Sequence, residues 1–345
     1  MSESASKKME LDPNFKSGDY YTDSYSAVGI HEEMIKDSVR TQTYQKAIMR
    51  NAHLFKDKVV LDVGCGTGIL SLFAAQAGAR LVIGVDMSEM AHTAKRIVQA
   101  NKMDHVVKIL QGKMEEVNLA QFGVNKGEVD IIISEWMGYC LLYESMLDSV
   151  LDARDTWLRP KTGLLFPDKA KMYIAAIEDA DYKDEKIKFW DNVYGFDFSC
   201  VKDNAIRQPL VDMVDGKQVI TRSQCILDVD INTVTKPELD FSCDFRLKAE
   251  RDDFCQAFTM FFDVTFPGHK PITFSTGPYD HYTHWKQTTV YLREDLIMLQ
   301  DETVSGHIDI KRNPVNFRAL DITLSYKFQG EKQTVARQND IYYLQ

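Results

Sequence analysis

The chain has 345 residues, 44% hydrophobic and 27% charged, the balance of a soluble globular protein long enough for two domains. Its 51 acidic against 41 basic residues give a net charge of −10, which argues against direct nucleic-acid binding and favours cationic partners. No run approaches the roughly 20 apolar residues of a membrane span, and the six scattered cysteines (65, 140, 200, 225, 243, 255) show no CxxC and no histidine at ligand spacing, so neither membrane insertion nor a metal site is expected.

In chain order, the opening "MSESASKKMELDPN" lacks the apolar core of a signal peptide and reads as a disordered tail over 1–19. "HEEMI" (31–35) begins like the zinc-protease HExxH, but Ile35 occupies the second histidine position. The runs 58–63, 80–86, 106–112 and 129–134 are short, apolar and rich in β-branched residues, as buried parallel strands are. Helical stretches lie between them, 67–77 ending at a C′ glycine, Gly78, and 88–100 starting at an N-cap, Ser88. This alternation predicts a Rossmann-like α/β domain over 20–167, including N-terminal helices. Beyond Pro167 the period becomes two. Phe258, Met260, Phe262, Val264 and Phe266 alternate with other residues, as do Leu320, Ile322, Leu324, Tyr326 and Phe328, so 168–345 is expected to form an antiparallel β-barrel domain. Residues 182–212 fit neither half. Ile187, Trp190, Tyr194, Phe196 and Phe198 either pack on their own barrel or form an arm that buries its aromatics in a second subunit.

The first strand runs into "DVGCGTG", with Gly64, Gly66 and Gly68 before a helix. Glycines there allow a tight turn and close approach of a ligand to the backbone. The dinucleotide pattern GxGxxG is broken, because its third glycine slot is Ile69. That spacing suits S-adenosylmethionine, which has no pyrophosphate to seat on the helix. Asp86 ends the second strand and can accept from both ribose hydroxyls, or simply cap the next helix. Glu115, in "GKMEEV", can accept from an adenine amino group, or stand on a solvated acidic turn.

"SEWMGYCLLYES" (134–145) places Glu135 and Glu144 among apolar neighbours, where an unpaired carboxylate costs several kcal/mol and tends to take up a proton. Nine positions along a straight helix turn the chain by about 900°, which leaves the two on opposite faces. Only a chain that doubles back brings them together, and Gly138 offers a place to bend.

These stretches, with "GIHEEMIKDSVRT" (29–41), "FPDKA" (166–170) and "YTHWKQT" (282–288), resemble the type I protein arginine methyltransferases from about Tyr20 to the C-terminus. "SEWMGYCLLYES" is similar to that family's double-glutamate loop and "YTHWKQT" to its Thr-His-Trp loop. The resemblance implies methyl transfer from S-adenosylmethionine to protein arginine, giving mono- and asymmetric dimethylarginine, without a metal. It implies that Glu135 and Glu144 grip the substrate guanidinium and that His284, paired with Asp37, or Glu144 receives the departing proton. By the same resemblance Arg40 meets the cofactor carboxylate, His31, Gly64 and Gly66 contact the cofactor, and Tyr21 and Tyr25 cover it. Tyr25, Met34, Met146 and Trp285 then border the substrate pocket. Implied partners are Arg/Gly-rich substrates such as RNA-binding proteins and histone tails, and a head-to-tail homodimer, with higher or hetero-oligomers open; the implied location is cytoplasm and nucleus. Thr22 departs from the family's usual aromatic. A catalytically weak member that stabilises an active partner is the alternative, and turnover by the purified chain alone separates the two.

Overall fold

The protein, a computed structural model, is described over residues 25–345; the tail expected over 1–19, Tyr21 and Thr22 lie outside the described residues. Helices α1 (Val28–Lys36), α2 (Ser38–Arg50) and α3 (Ala52–Phe55) come first. Asp37 caps α2, its Oδ1 accepting the Arg40 N–H at 2.9 Å and satisfying a donor that the helix itself cannot.

A parallel sheet follows: β1 (Val59–Val63), β2 (Leu81–Asp86), β3 (Val107–Gln111), β4 (Ile131–Ser134) and β5 (Leu164–Phe166), in the order β3-β2-β1-β4-β5. The four expected runs are its first four strands. The fifth, "LLF", is too short to carry a period. β1 is buried at every position, as a strand covered on both faces must be. Helices α4 (Ile69–Gln76), α5 (Met90–Ala100) and α6 (Leu147–Trp157) belong to this half. α4 starts later than its sequence pattern suggests because Gly68 is left-handed (φ 84°). It ends as expected, with Gly78 at φ 94°, its N–H on Ala75 O at 3.0 Å and the Ala79 N–H on Ala74 O at 3.2 Å, a Schellman closure. Ser88 does not stand at the N-cap of α5 but one residue before it, where its Oγ accepts the Met90 N–H at 3.2 Å.

The second half holds two antiparallel sheets. One has the order β7-β12-β10-β6-β8 with β11 on β10, the strands being β6 (Lys169–Ile177), β7 (Leu210–Asp212), β8 (Gln224–Asp230), β10 (Asp253–Phe266), β11 (Ile272–Ser275) and β12 (Gln287–Met298). The other has the order β15-β14-β13-β9, with β9 (Phe241–Lys248), β13 (Thr303–Arg312), β14 (Leu320–Gln329) and β15 (Thr334–Leu344). The alternating residues of β10 and β14 are buried, and Phe258 meets Phe245 and Tyr326 edge-on at 5.4 and 5.9 Å, so the sheets face each other across one core. Between β6 and β7 lie α7 (Ala180–Lys186) and α8 (Lys202–Ile206). Ile187 packs on its own domain, with Ala257 and Tyr291, whereas Tyr194 (96% exposed) and Phe196 (70%) stand clear of its core and Phe198 is 40% exposed. The halves meet through α2: Tyr44 is buried and lies edge-on to Phe266, ring centres 4.7 Å apart.

Candidate active site

In this sheet the strand order reverses between β1 and β4, and ligands of open α/β sheets bind beyond the carboxyl ends of strands at such a point. A cavity of about 520 Å³ opens there, lined by the loops that follow both strands. On its β1 side Gly64, Gly66 and Gly68 are left-handed (φ 72°, 51° and 84°). A Cβ on Gly64 would fall 2.1 Å from the Met146 methyl, so a side chain there would occupy space the pocket uses. Gly66 N–H donates to Asp86 Oδ2 at 2.7 Å, and Asp86 Oδ1 accepts Ser88 N–H at 2.9 Å and Ser88 Oγ at 2.6 Å. Asp86 thus braces the loop and the start of α5 while still lining the cavity, and a carboxylate has acceptor capacity beyond three bonds. Glu115 lines the cavity and takes Ser149 Oγ at 2.8 Å. His31 is buried, its Nε2 2.8 Å from Tyr25 O.

Beneath the loop Asp62 is wholly buried. Burial pushes its carboxyl up to about 7, against a hydrogen bond from Ser71 Oγ to Oδ2 (2.6 Å) and with a further push from Asp86.

On the β4 side the chain doubles back after Glu135. Gly138 N–H donates to Leu141 O at 3.0 Å, and a Cβ on Gly138 would sit 2.0 Å from Tyr143 O. Gly138 is therefore a point of close approach. The bending itself falls on Cys140 and Leu141 (φ 49° and 62°), with a second left-handed pair at Glu144 and Ser145 (φ 76° and 57°). Non-glycine residues hold such backbone only when their surroundings impose it. For Glu144 and Ser145 the β13–β14 loop does so: Glu144 N–H donates to Arg318 O and Arg318 Nη1 to Glu144 O, each at 2.7 Å, and Ser145 Oγ donates to Phe317 O at 2.6 Å.

Each glutamate has a partner. Arg40 Nε and Nη2 reach Glu135 Oε2 at 2.8 and 2.7 Å, and both side chains are buried. Tyr25 donates its hydroxyl to Glu144 Oε2 at 2.8 Å. Arg40, expected at the cofactor carboxylate, spends two donors on Glu135, though it lines the cavity as well. Glu135 Oε1 accepts no hydrogen bond among the described residues.

His284 joins this wall from the second domain. Its Nδ1 is 2.7 Å and its N–H 2.9 Å from Asp37 Oδ2. Burial opposes charge on Asp37, but the hydrogen bonds from the His284 ring and from the Arg40 and His284 amides outweigh it and hold the carboxyl below its usual range. With Nδ1 donating to that carboxylate, the neutral ring presents Nε2 as an acceptor. Trp285 is buried, donates Nε1 to Met137 O at 2.7 Å and lies under His284, ring centres 4.0 Å apart.

One cavity therefore gathers Tyr25, His31, Met34, Arg40, Gly64, Gly66, Asp86, Glu115, Glu135, Glu144, Met146, His284 and Trp285, with Asp37 behind His284. Tyr21 lies outside the described residues. Sequence reasoning missed Arg318, Phe317 and Ser145. Arg318 stands 174 residues from Glu144 in a loop with no motif of its own, so no local pattern marks it. It also missed Asp62 and read Ser88 only as a helix cap, not as a partner of Asp86, though both lie inside the stretches it read.

Residues 168–331 match the family described as "Arginine methyltransferase oligomerization subdomain", and residues 43–155 match "Ribosomal protein L11 methyltransferase (PrmA)". The chain is 57% identical over 322 residues to Protein arginine N-methyltransferase 1 of Schizosaccharomyces pombe, covering 93% of each, and 56% identical over 316 residues to that of Dictyostelium discoideum, covering 91% of each. Among solved structures it resembles the Trypanosoma brucei PRMT1 enzyme–prozyme heterotetrameric complex with AdoHcy (TM-score 0.89, 47% identity, 93% of this chain and 100% of that one). It also resembles Arabidopsis thaliana protein arginine methyltransferase 10 (TM-score 0.82, 29% identity, 94% of this chain and 100% of that one).

Proposed function

The chain belongs to the protein arginine N-methyltransferases, and from that membership we infer the chemistry its cavity performs. It transfers methyl groups from S-adenosylmethionine to guanidino nitrogens of protein arginine, as a type I enzyme making mono- and asymmetric dimethylarginine. The observation that carries the assignment of roles is the convergence of two buried-loop carboxylates, Glu135 and Glu144, on one cavity beside a glycine loop braced by Asp86.

The donor set fits the cosubstrate: Asp86 faces the cavity with acceptor capacity for ribose hydroxyls, Glu115 for an adenine amino group, and Arg40 offers a cation for a carboxylate. When bound, S-adenosylmethionine supplies the methyl group from a sulfonium. The protein's part is grip and charge. Glu135 Oε1 and Glu144 accept from the substrate guanidinium, whose rigid fork cannot lose its proton freely at neutral pH. Arg40 and Tyr25 hold the two carboxylates from behind, so their direction is set before substrate arrives. The carboxylates draw positive charge toward the gripped nitrogens and leave the other terminal nitrogen better able to attack. As its bond to the methyl carbon forms, that nitrogen sheds one proton, for which the cavity offers Glu144 and Nε2 of His284. A pH–rate profile of His284→Gln separates these: lower activity with an unmoved profile assigns the proton to Glu144.

The chain carries an oligomerisation subdomain. The exposed Tyr194, Phe196 and Phe198 support the finer reading of a homodimer in which this arm docks on a second copy. Arg/Gly-rich segments of RNA-binding proteins and histone tails are the proposed substrates, and six free cysteines support the cytoplasm and nucleus as location. Mass spectrometry of an Arg/Gly-rich peptide incubated with the purified chain and cosubstrate tests the function. Added methyls with fragment ions of the asymmetric isomer are expected; symmetric product alone, or none, rejects it.

A further inference from the structure

We propose that Lys236 is a positioning residue that latches the second domain across the adenine end of the cavity, its ion pair with Asp152 slowing release of the cosubstrate. The proposal rests on the arginine-methylation reading and on the placing of adenine at Glu115. Ser149 and Asp152 stand three positions apart on α6, which puts them on one face of the helix, and both line the cavity. Ser149 Oγ donates to Glu115 Oε1 at 2.8 Å, so this face of α6 borders the end where adenine is placed. Lys236 comes from the second domain, at the head of the turn Lys236–Leu239 between β8 and β9. Its Nζ donates to Asp152 Oδ2 at 2.7 Å, and it lines the cavity too. The second domain thus reaches the cavity beside Asp152 as well as at His284.

The junction of the two domains is held without this side chain. Arg312 Nη1 donates to Asp148 Oδ2 at 2.8 Å and its Nη2 to Lys236 O at 3.2 Å, while Arg154 Nη1 donates to Ile231 O and Val234 O, both at 2.8 Å. The turn itself is closed by Thr235, whose N–H and Oγ1 donate to Glu238 Oε2 at 2.8 and 2.7 Å, and Leu239 is buried. These bonds fix where Lys236 stands and leave its ammonium to Asp152. The side chains of Lys236 and Asp152 keep 39% and 35% of their surface in water, so the pair stands at the edge of the cavity and not within it. An ion pair between two domains at the edge of a ligand site opposes the parting of the walls that frees the ligand, and so acts on the dissociation rate. It takes no part in the chemistry at Glu135, Glu144 and His284.

The test follows release of S-adenosylhomocysteine from the full chain by stopped-flow displacement. The unaltered protein is compared with Lys236→Met, Lys236→Arg, Asp152→Asn and the double variant Lys236→Met with Asp152→Asn, with melting temperatures to establish that each folds. Lys236→Met and Asp152→Asn should each speed release about threefold, the size of a half-exposed ion pair. The double variant should be no faster than either single one, because both break the same bond. Lys236→Arg should restore slow release, and KM for an Arg/Gly-rich peptide should not move. The affinity for 5′-deoxy-5′-methylthioadenosine, which keeps the adenine and lacks the amino-acid end, should fall by the same factor. Unchanged release in the single variants, or effects that multiply in the double variant, overturns the latch. So does a lowered melting temperature with unmoved release, the mark of a merely structural pair. An effect on S-adenosylhomocysteine without one on methylthioadenosine places the pair away from adenine and overturns it as well. The readings beneath fail separately: Glu115→Gln with unchanged affinity for both ligands rejects the placing of adenine, and an unaltered chain that does not bind S-adenosylhomocysteine rejects the cosubstrate itself.

Discussion

The wall of the cavity that faces the glycine loop and the wall that carries the two glutamates differ in how far the chain travels to build them. The first is local. Gly64, Gly66, Asp86 and Ser88 come from two consecutive strand ends, and their mutual bonds span 20 residues or fewer. The second draws on Arg40 from α2, Glu135 and Glu144 after β4, His284 before β12 and Arg318 before β14, with bonds that span 95, 174 and 247 residues. It also holds Cys140, Leu141, Glu144 and Ser145 in left-handed backbone, which local sequence would not choose. A local wall forms from neighbours in sequence; a remote wall exists only in the folded two-domain chain. Damage to the first should therefore be graded and damage to the second severe.

The largest effect is expected on the remote wall. Glu135→Gln leaves the buried Arg40 without its anionic partner, and loss of one member of a buried pair costs about 3–5 kcal/mol. Glu144→Gln weakens the grip on the guanidinium directly. Each should lower kcat/KM by on the order of a hundredfold or more, with affinity for S-adenosylhomocysteine in calorimetry kept within about threefold. Near-normal turnover in either variant would dissolve the distinction between the walls.

The next effect concerns what the local wall rests on. Asp62 has a folded-state pKa of about 7, pushed up chiefly by burial, against about 3.9 when unfolded. Between those values the native state holds a proton that the unfolded state has released. The resulting stability is fully present below about pH 4 and is lost as pH rises through about 7, at roughly 1.4 kcal/mol per pH unit. From pH 5 to 6.5 the natural protein should thus lose about 2 kcal/mol relative to Asp62→Asn, which cannot ionise. Urea titrations of both proteins measure this, and a pH-independent difference between them would reject the protonated Asp62.

The same contrast decides what could be read before the structure. The strands β1 to β4, the Gly78 cap and Asp86 are legible because burial on both faces, left-handed helix closure and a strand-end carboxylate each leave a mark within a few residues. β5 is missed because three residues carry no period. Gly138 stands out as the bend, but its role is to let Tyr143 O pass, and the bend falls on Cys140 and Leu141, which are not glycines and carry no local mark of left-handed backbone. Glu135 and Glu144 are conspicuous as carboxylates in apolar company, yet nothing in their neighbourhood names Arg40 as the partner of one or Arg318 as the support of the other. Residue type is a local property and pairing is not.

Asp86→Ala sharpens the comparison on the local side. It removes the acceptor proposed for the ribose hydroxyls, and also the brace on Gly66 N–H. Hydrogen bonds to a charged group contribute about 1.5–3 kcal/mol each, so calorimetry with S-adenosylhomocysteine should show at least about a tenfold loss of affinity. Unchanged affinity in a folded variant would remove the ribose assignment and leave Asp86 as a loop brace alone.

The smallest effect is expected at Ser88. Its Oγ makes two bonds, donating to Asp86 Oδ1 at 2.6 Å and accepting the Met90 N–H at 3.2 Å near the start of α5. Ser88→Ala breaks both but keeps the Ser88 backbone N–H on Asp86 Oδ1 at 2.9 Å and the Gly66 N–H on Oδ2 at 2.7 Å. Two of the three groups that orient Asp86 therefore survive. Loss of a capping hydroxyl at a helix start costs about 1 kcal/mol, so denaturant unfolding should register that much, while affinity for S-adenosylhomocysteine should fall only about two- to threefold, well under 1 kcal/mol. A loss of affinity as large as that of Asp86→Ala would mean that a single local hydroxyl controls the carboxylate, and the local wall would then be as cooperative as the remote one.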